Sequence, residues 1–221
     1  MFPLKDTQPS YTRPVVTIII IVVNLLVFLF EFSLGSYTRN DFIEYYGLVP
    51  DHFQFSRVYT SMFLHGSWMH VLGNMWFLWI FGDNIEDLLG HAKYLLFYFL
   101  CGTVAALGQV IAGPYSTVPM VGASGAIAGV MGAYMIKFPR ARILTLVFII
   151  IFFTMVEIPA PIMLAYWFFL QLFSGFGSIA RTSQGGTAFF AHIAGFVAGI
   201  VLVKVMGASG QYNRRRDRYW E

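Results

Sequence analysis

Along this chain polar residues do not alternate with apolar ones at an amphipathic period; they gather between blocks that are apolar on every side. A helix hydrophobic all round belongs in a large core or in lipid, and crossing a hydrocarbon layer of ~30 Å takes about 20 helical residues. Six such blocks are expected. The first runs from about Val15 to Phe32, just after Pro14, a residue suited to a first helical turn. The second covers Trp68 to Gly82 and the third Tyr94 to Ala112, the third stopped by Gly113 and Pro114. The polar segment Asp83 to Lys93 separates them. The fourth, Ser124 to Ile136, is short and ends at the basic turn Lys137 to Arg142. From Ile143 to Gly175 the apolar run is too long for one straight crossing, and Pro159 and Pro161 divide it, which predicts the fifth crossing over Ile158 to Ser174. A Gly-rich segment, Gly175 to Gly186, leads to the sixth, Ala188 to Met206. The longest stretch between spans, Ser33 to Leu64, mixes charges, Gly47, Pro50 and aromatics, the pattern of a loop lying partly in the membrane.

Composition agrees with one compact membrane domain and excludes a soluble globular one. The 221 residues are 57% hydrophobic, 18% aromatic and only 11% charged, against roughly a quarter charged in soluble domains. The expected organisation is a polar N-terminal arm over 1–14, a six-span domain over 15–206 and a basic tail over 207–221. The net charge of +3 lies almost wholly in Arg214, Arg215, Arg216 and Arg218. Beside a last span these read as a topology signal, and with no basic face carrying interleaved aromatics no nucleic-acid partner is expected. Six crossings put both ends on one side, and of the 14 Lys and Arg only Arg39, Arg57 and Arg181 fall on the other; the positive-inside rule makes the rich side cytoplasmic. The single Cys101 sits in an apolar run, which excludes a disulfide framework. The N-terminus lacks a secretory cleavage pattern and a long transit extension, which favours a prokaryotic plasma membrane.

Polar groups inside spans are costly and mark function by default. Four stand out: His70 and Asn74 in the second span, Ser124 at the head of the fourth and His192 in the sixth. Measured from Asp83, Lys137 and Lys204 at ~1.5 Å per residue, His70, Ser124 and His192 share a level about 18 to 20 Å up. Asn74 lies one turn deeper on the face of His70. Gly122, Gly125, Gly129 and Gly132 in the fourth span, and Ala191, Gly195 and Gly199 in the sixth, contain small-xxx-small patterns that permit close backbone approach. Ser124 and His192 border those stripes, so a hydrogen bond between them is geometrically accessible. The pair has the chemistry of a nucleophile beside its base. The first helical turn after Ser124 offers unpaired N–H groups to a developing oxyanion, and His70 and Asn74 could add donors. Each residue alone has a plainer reading: serine in a glycine-rich span as a packing residue, His70 and Asn74 as helix glue. Their common depth argues for the joint one.

Gly122-Ala123-Ser124-Gly125-Ala126, the series His65, His70, Asn74, and Ala191-His192-Ile193-Ala194-Gly195 resemble the three signature motifs of rhomboid intramembrane serine proteases, in order and in the spans that carry them. The resemblance implies an all-α, six-transmembrane-helix bundle with a partly embedded first loop. It further implies a Ser124–His192 dyad, an oxyanion hole from the Ser124 N–H with His70 and Asn74, and cleavage of transmembrane protein substrates near the outer face of the bilayer. Structural roles near the site go with it for His65, Arg57, Gly122, Gly125, Gly195 and Gly199, as does a lateral entrance between the second and fifth spans under a Gly175 to Gly186 cap. The family's Trp-Arg pair in the first loop is Ser56-Arg57 here, and the position four beyond the serine, aromatic in some members, is Ala128. Glu157, the one acid in the long apolar stretch, is expected near the inner surface, so a dyad rather than a triad is predicted, without cofactor or metal. The competing functions are a catalytically silent client-binding relative and a transporter. Oligomeric state is not legible.

Overall fold

In the computed structural model, which describes residues 2–149, 152–179, 188–210 and 212, the expected apolar blocks are helices. They are α1 (Val15–Ser33), α4 (Trp68–Leu89), α5 (His91–Ala112), α6 (Ser124–Lys137), α7 (Ala160–Ile179) and α8 (Phe189–Met206). Between α1 and α4 the chain forms α2 (Ser36–Tyr46) and α3 (Phe55–Thr60), with 3₁₀ turns at Pro50–His52 and Ser61–Phe63. Among the described residues three helices, α1, α5 and α8, are long and apolar enough to cross a membrane. α6 packs at the centre against α5 and α8, which also pack on each other, and its residues from Gly125 to Tyr134 are buried. The expected Gly-rich segment begins inside α7, which runs on through residues 175–179; its remainder with Arg181, and the tail arginines, fall on residues 180–187 and 213–221, outside those described.

The architecture is mostly helical rather than all-α. Residues expected to lead straight into the fifth span form a hairpin, β2 (Arg142–Ile149) and β3 (Phe152–Pro159), paired from Arg142 with Pro159 to Ile149 with Phe152. A third strand, β1 (Phe2–Asp6), adds antiparallel to β2 from Phe2 with Leu146 to Asp6 with Ile143. The apolar run from 143 to 158 is rich in Ile, Val, Phe and Thr, side chains that suit a pleated surface. The N-terminal arm supplies the third strand that such a hairpin needs for stability. Trp76 fastens the arm by donating from its indole to the Pro3 carbonyl at 2.7 Å, and the Tyr134 hydroxyl donates to the Asp6 carboxyl.

The segment Asp83 to Lys93 is not the expected polar connection either. α4 continues through it to Leu89 and turns into α5 at Gly90 alone, whose φ of +80° is one that L side chains rarely adopt. Its Asn84, Glu86 and Asp87 are buried because the start of the chain folds over them. Glu86 accepts from the Val16 N–H at 2.8 Å, the Thr17 N–H at 2.8 Å and the Thr17 hydroxyl at 2.7 Å, capping α1 from another helix. Thr12 donates to Asp87 at 2.6 Å, and the Asn84 amide to the Gln8 carbonyl at 3.0 Å. A carboxylate at the start of α1 also meets the positive end of its dipole.

Candidate active site

The approach to α6 is held by the first loop. Leu48 and Met120 exchange backbone hydrogen bonds of 3.0 and 2.8 Å, and the Gly122 N–H donates to the Ser61 carbonyl at 2.8 Å. At Gly122 the backbone has φ +117°, and a methyl there would stand 2.7 Å from both Cε1 and Nε2 of His70. Glycine is thus required twice over, by the turn and by the histidine. Ser124 follows as the first residue of α6, where the earliest intrahelical bond runs from the Ile127 N–H to the Ala123 carbonyl at 3.1 Å, so the N–H groups before it have no helical acceptor.

His192 is the fourth residue of α8 and is 7% exposed. Its Nε2 lies 2.7 Å from Ser124 Oγ. The α6–α8 crossing that brings them together is a seam of main chain against main chain. A methyl on Gly195 would overlap the Gly125 carbonyl, one on Gly199 the Gly129 carbonyl and one on Gly132 the Phe196 carbonyl. Beside the same seam, a methyl on Gly125 would come within 2.6 Å of Ala105 Cβ on α5. The small-residue stripes therefore do meet. Gln109 of α5 fixes the first turn of α8 by accepting from the Ala191 N–H at 3.2 Å.

On α4, the Ser67 hydroxyl caps the helix by accepting from the His70 N–H at 3.2 Å. The Asn74 amide donates to His65 Nε2 at 3.0 Å, and the His65 ring meets His70 edge-on at 5.0 Å. Burial, with His70 close by, pushes the His65 pKa down to about 3, which keeps it a neutral acceptor for Asn74. Asn74 keeps a second amide N–H. Ser124, His192, His70 and Asn74 all line one cavity of about 1280 Å³, together with Met69, Gly73, Met120 and Trp167.

Arg57 is not brought to this cluster: its guanidinium stands 5.7 Å over the Tyr45 ring in the first loop. The cation that reaches the His65 region is Arg39, which donates to the carbonyls of His65 and Gly66, both at 3.2 Å, and lies 5.6 Å over the Phe28 ring. Gln171 is a second residue the sequence reading passed over. From α7 its Oε1 lies 2.8 Å from His192 Nδ1, and Trp167, one turn earlier, has its ring centroid 5.7 Å from the same imidazole. The signal was present, since Gln171 is an amide inside an apolar span. Ala128 is buried in α6, so an aromatic neighbour for His192 comes from α7. Among the described residues no group of three or more His, Cys, Asp or Glu is placed to hold a metal ion.

A family model, the Rhomboid domain, matches residues 52–209, which include every residue of this cluster except Arg39. The chain belongs to the rhomboid family. With its three long apolar helices, this makes it an integral membrane protein. The rhomboid domain here is similar to that of the Bacillus subtilis protein named "Putative rhomboid protease YdcA", 32% identical over 138 residues, which are 61% of this chain and 69% of that one. It is also similar to rhomboid protease GluP of the same organism, at 30% over 126 residues, and to the human presenilin-associated rhomboid-like protein, mitochondrial, at 36% over 92. Those alignments cover 55% and 40% of this chain but 24% of each relative. The chain thus spans about a quarter of their length. Rhomboid relatives come from bacteria and mitochondria alike, so the expectation of a prokaryotic plasma membrane rests on the sequence alone.

Proposed function

We propose that this protein is an intramembrane serine endopeptidase in which Ser124 is the nucleophile and His192 its general base. The observation that carries the reading is the 2.7 Å contact between Ser124 Oγ and His192 Nε2 at the free end of α6, on the wall of a cavity large enough for an extended peptide. A serine hydroxyl is a weak nucleophile at neutral pH unless an adjacent base takes its proton. Relatives named as rhomboid proteases support the same chemistry.

In the proposed reaction His192 Nε2 takes the Ser124 proton as Oγ attacks a peptide carbonyl. The oxyanion is met by the Ser124 N–H, the His70 ring and the remaining amide N–H of Asn74. His192 then returns the proton to the leaving amine, and water hydrolyses the acyl-enzyme by the same route in reverse. The substrates are transmembrane proteins, cut near the outer face of the bilayer, because the dyad lies at the beginnings of α6 and α8 while the arginine-rich chain end is read as cytoplasmic. The six helices α1, α4, α5, α6, α7 and α8 are read as six spans, with α2 and α3 lying partly in the membrane and a substrate entering between α4 and α7.

The test uses a fluorophosphonate probe, which needs no known substrate. Full-length protein in lipid vesicles should be labelled, and Ser124→Ala and His192→Ala, each folded, should not be. A folded, unlabelled wild type would replace this reading with a silent client-binding rhomboid protein. Labelling that survives Ser124→Ala would refute the nucleophile.

A further inference from the structure

A base that relays one proton must hold one tautomer. Neutral imidazole carries a single N–H, and His192 accepts from Ser124 at Nε2 only if that hydrogen sits on Nδ1. Nothing on α6 or α8 is recorded as bonding to Nδ1; its partner is the Gln171 side-chain oxygen at 2.8 Å. An amide oxygen accepts from Nδ1–H and leaves the Nε2 lone pair facing Ser124 Oγ, 2.7 Å away. Trp167 restrains the same ring from the same helical face, four residues earlier, with an interplanar angle of 39°. Both contacts come from α7, whereas Ser124 and the seam that sets the depth of His192 belong to α6 and α8.

We propose that Gln171 is the positioning residue of His192, selecting its Nδ1–H tautomer and fixing its ring; this rests on the reading of Ser124 and His192 as nucleophile and base. Gln171 then stands where a carboxylate stands in a Ser-His-Asp triad, without the charge. It takes no proton in the cycle: when His192 gains the Ser124 proton at Nε2, Nδ1–H stays on the amide oxygen, and the new proton leaves with the amine. The arrangement also makes the base depend on the seating of α7. Displacement of that helix removes the acceptor from Nδ1 while Ser124 and His192 keep their backbone positions.

The experiment compares full-length wild type, Gln171→Met and Gln171→Glu in lipid vesicles. Methionine keeps the reach and removes the strong acceptor; glutamate keeps an oxygen. Saturation of fluorophosphonate labelling separates the maximal rate from the half-saturating concentration. Gln171→Met should lower the maximal rate about 10- to 100-fold, within the roughly 10²–10⁴ that a positioned base supplies. It should leave the half-saturating concentration within about twofold, and Gln171→Glu should recover most of the rate. Wild-type rates in Gln171→Met, or equal impairment of both variants, would overturn the proposal. Should Gln171→Met lose its cooperative unfolding transition, ¹⁵N imidazole spectra of wild type, assigned by difference from His192→Ala, decide the matter: Nδ1–H supports it and Nε2–H refutes it. The two readings fail differently. A wild type without Ser124-dependent labelling removes the catalytic reading itself, whereas a labelled wild type indifferent to Gln171 removes only the positioning role.

Discussion

Replacing Gly122 by alanine tests the geometry of the oxyanion region without touching any group proposed to react. The added methyl would stand 2.7 Å from two atoms of the His70 ring, where carbon contacts settle at about 3.5–4.0 Å, so the ring must retreat by about 1 Å. The loop cannot absorb the change, because the Gly122 N–H is bonded to the Ser61 carbonyl and Ser124 opens α6 two residues later. Holding an L residue at φ +117° adds ~1–3 kcal/mol of strain, and the overlap a further ~1–3 kcal/mol. The expected loss is roughly 2–6 kcal/mol of the ~5–15 kcal/mol typical of a folded domain. Displacing one oxyanion donor should slow labelling about 10²–10³-fold. Unfolding free energy in mixed micelles and fluorophosphonate labelling rate read the two effects. Adding His70→Ala should return the overlap portion, ~1–3 kcal/mol, but not the strain. Gly66→Ala, where a methyl meets nothing within 4 Å, should stay within ~0.5 kcal/mol of wild type. A Gly122→Ala protein as stable and reactive as wild type, or one unrelieved by His70→Ala, would refute the reasoning.

Glu86→Gln should cost about 1–3 kcal/mol in the same unfolding measurement, because one of the two acceptor oxygens becomes an NH₂ that faces either the Val16 N–H or the Thr17 N–H, leaving that donor unpaired; a loss below ~0.5 kcal/mol would contradict the cap. Arg39→Ala should slow labelling about fivefold, equivalent to ~1 kcal/mol of hydrogen bonding to the His65 and Gly66 carbonyls, while Arg57→Ala changes it less than twofold; the reverse order would restore the family-based expectation. The Asp6 carboxyl is pushed up to about 6, chiefly by burial and further by Asp83, against a lowering hydrogen bond from Tyr134. Its folded pKa lies above its unfolded one, so the folded state holds the extra proton. That contribution to stability is full below about pH 4 and is lost as pH rises through about 6. Melting temperatures of wild type and Asp6→Asn between pH 4 and 7.5 should therefore diverge, with the asparagine variant gaining as pH rises; a constant difference would show that Asp6 does not titrate in this window.

The helices were legible because lipid-crossing blocks announce themselves by composition, and their bounds differ from the expected ones by a few residues except where another part of the chain intervenes. Asn84, Glu86 and Asp87 read as a polar connection because their partners, Gln8, Thr12, Val16 and Thr17, lie some seventy residues away. Likewise the run from 143 to 158 has no periodicity to separate strand from helix; the pairing of β2 with β3 and the arrival of β1 are events that no local pattern encodes. At the site, the motif residues Ser124, His192, His65, His70 and Asn74 are drawn together as expected. Arg57 was assigned by resemblance and lies on Tyr45, whereas Arg39 took the backbone contacts. Gln171 is uncharged and belongs to none of the three motifs, and its partner His192 lies on another helix 21 residues away. An uncharged amide left unpaired in an apolar span still costs roughly 2–7 kcal/mol.

The glycine seam between α6 and α8 has a consequence for how activity is lost. Where two reactive groups are held by interdigitated side chains, rotamer changes can loosen one while the fold survives. Here the spacing of Ser124 and His192 is set by carbonyls of Gly125 and Gly129 lying against Gly195 and Gly199, and backbones in contact have no rotamers to relax into. The backbones beneath the pair separate only when the two helices part, so heat should not draw them apart before the bundle unfolds, and an idle form with the seam intact has to arise at the His192 side chain, through displacement of α7.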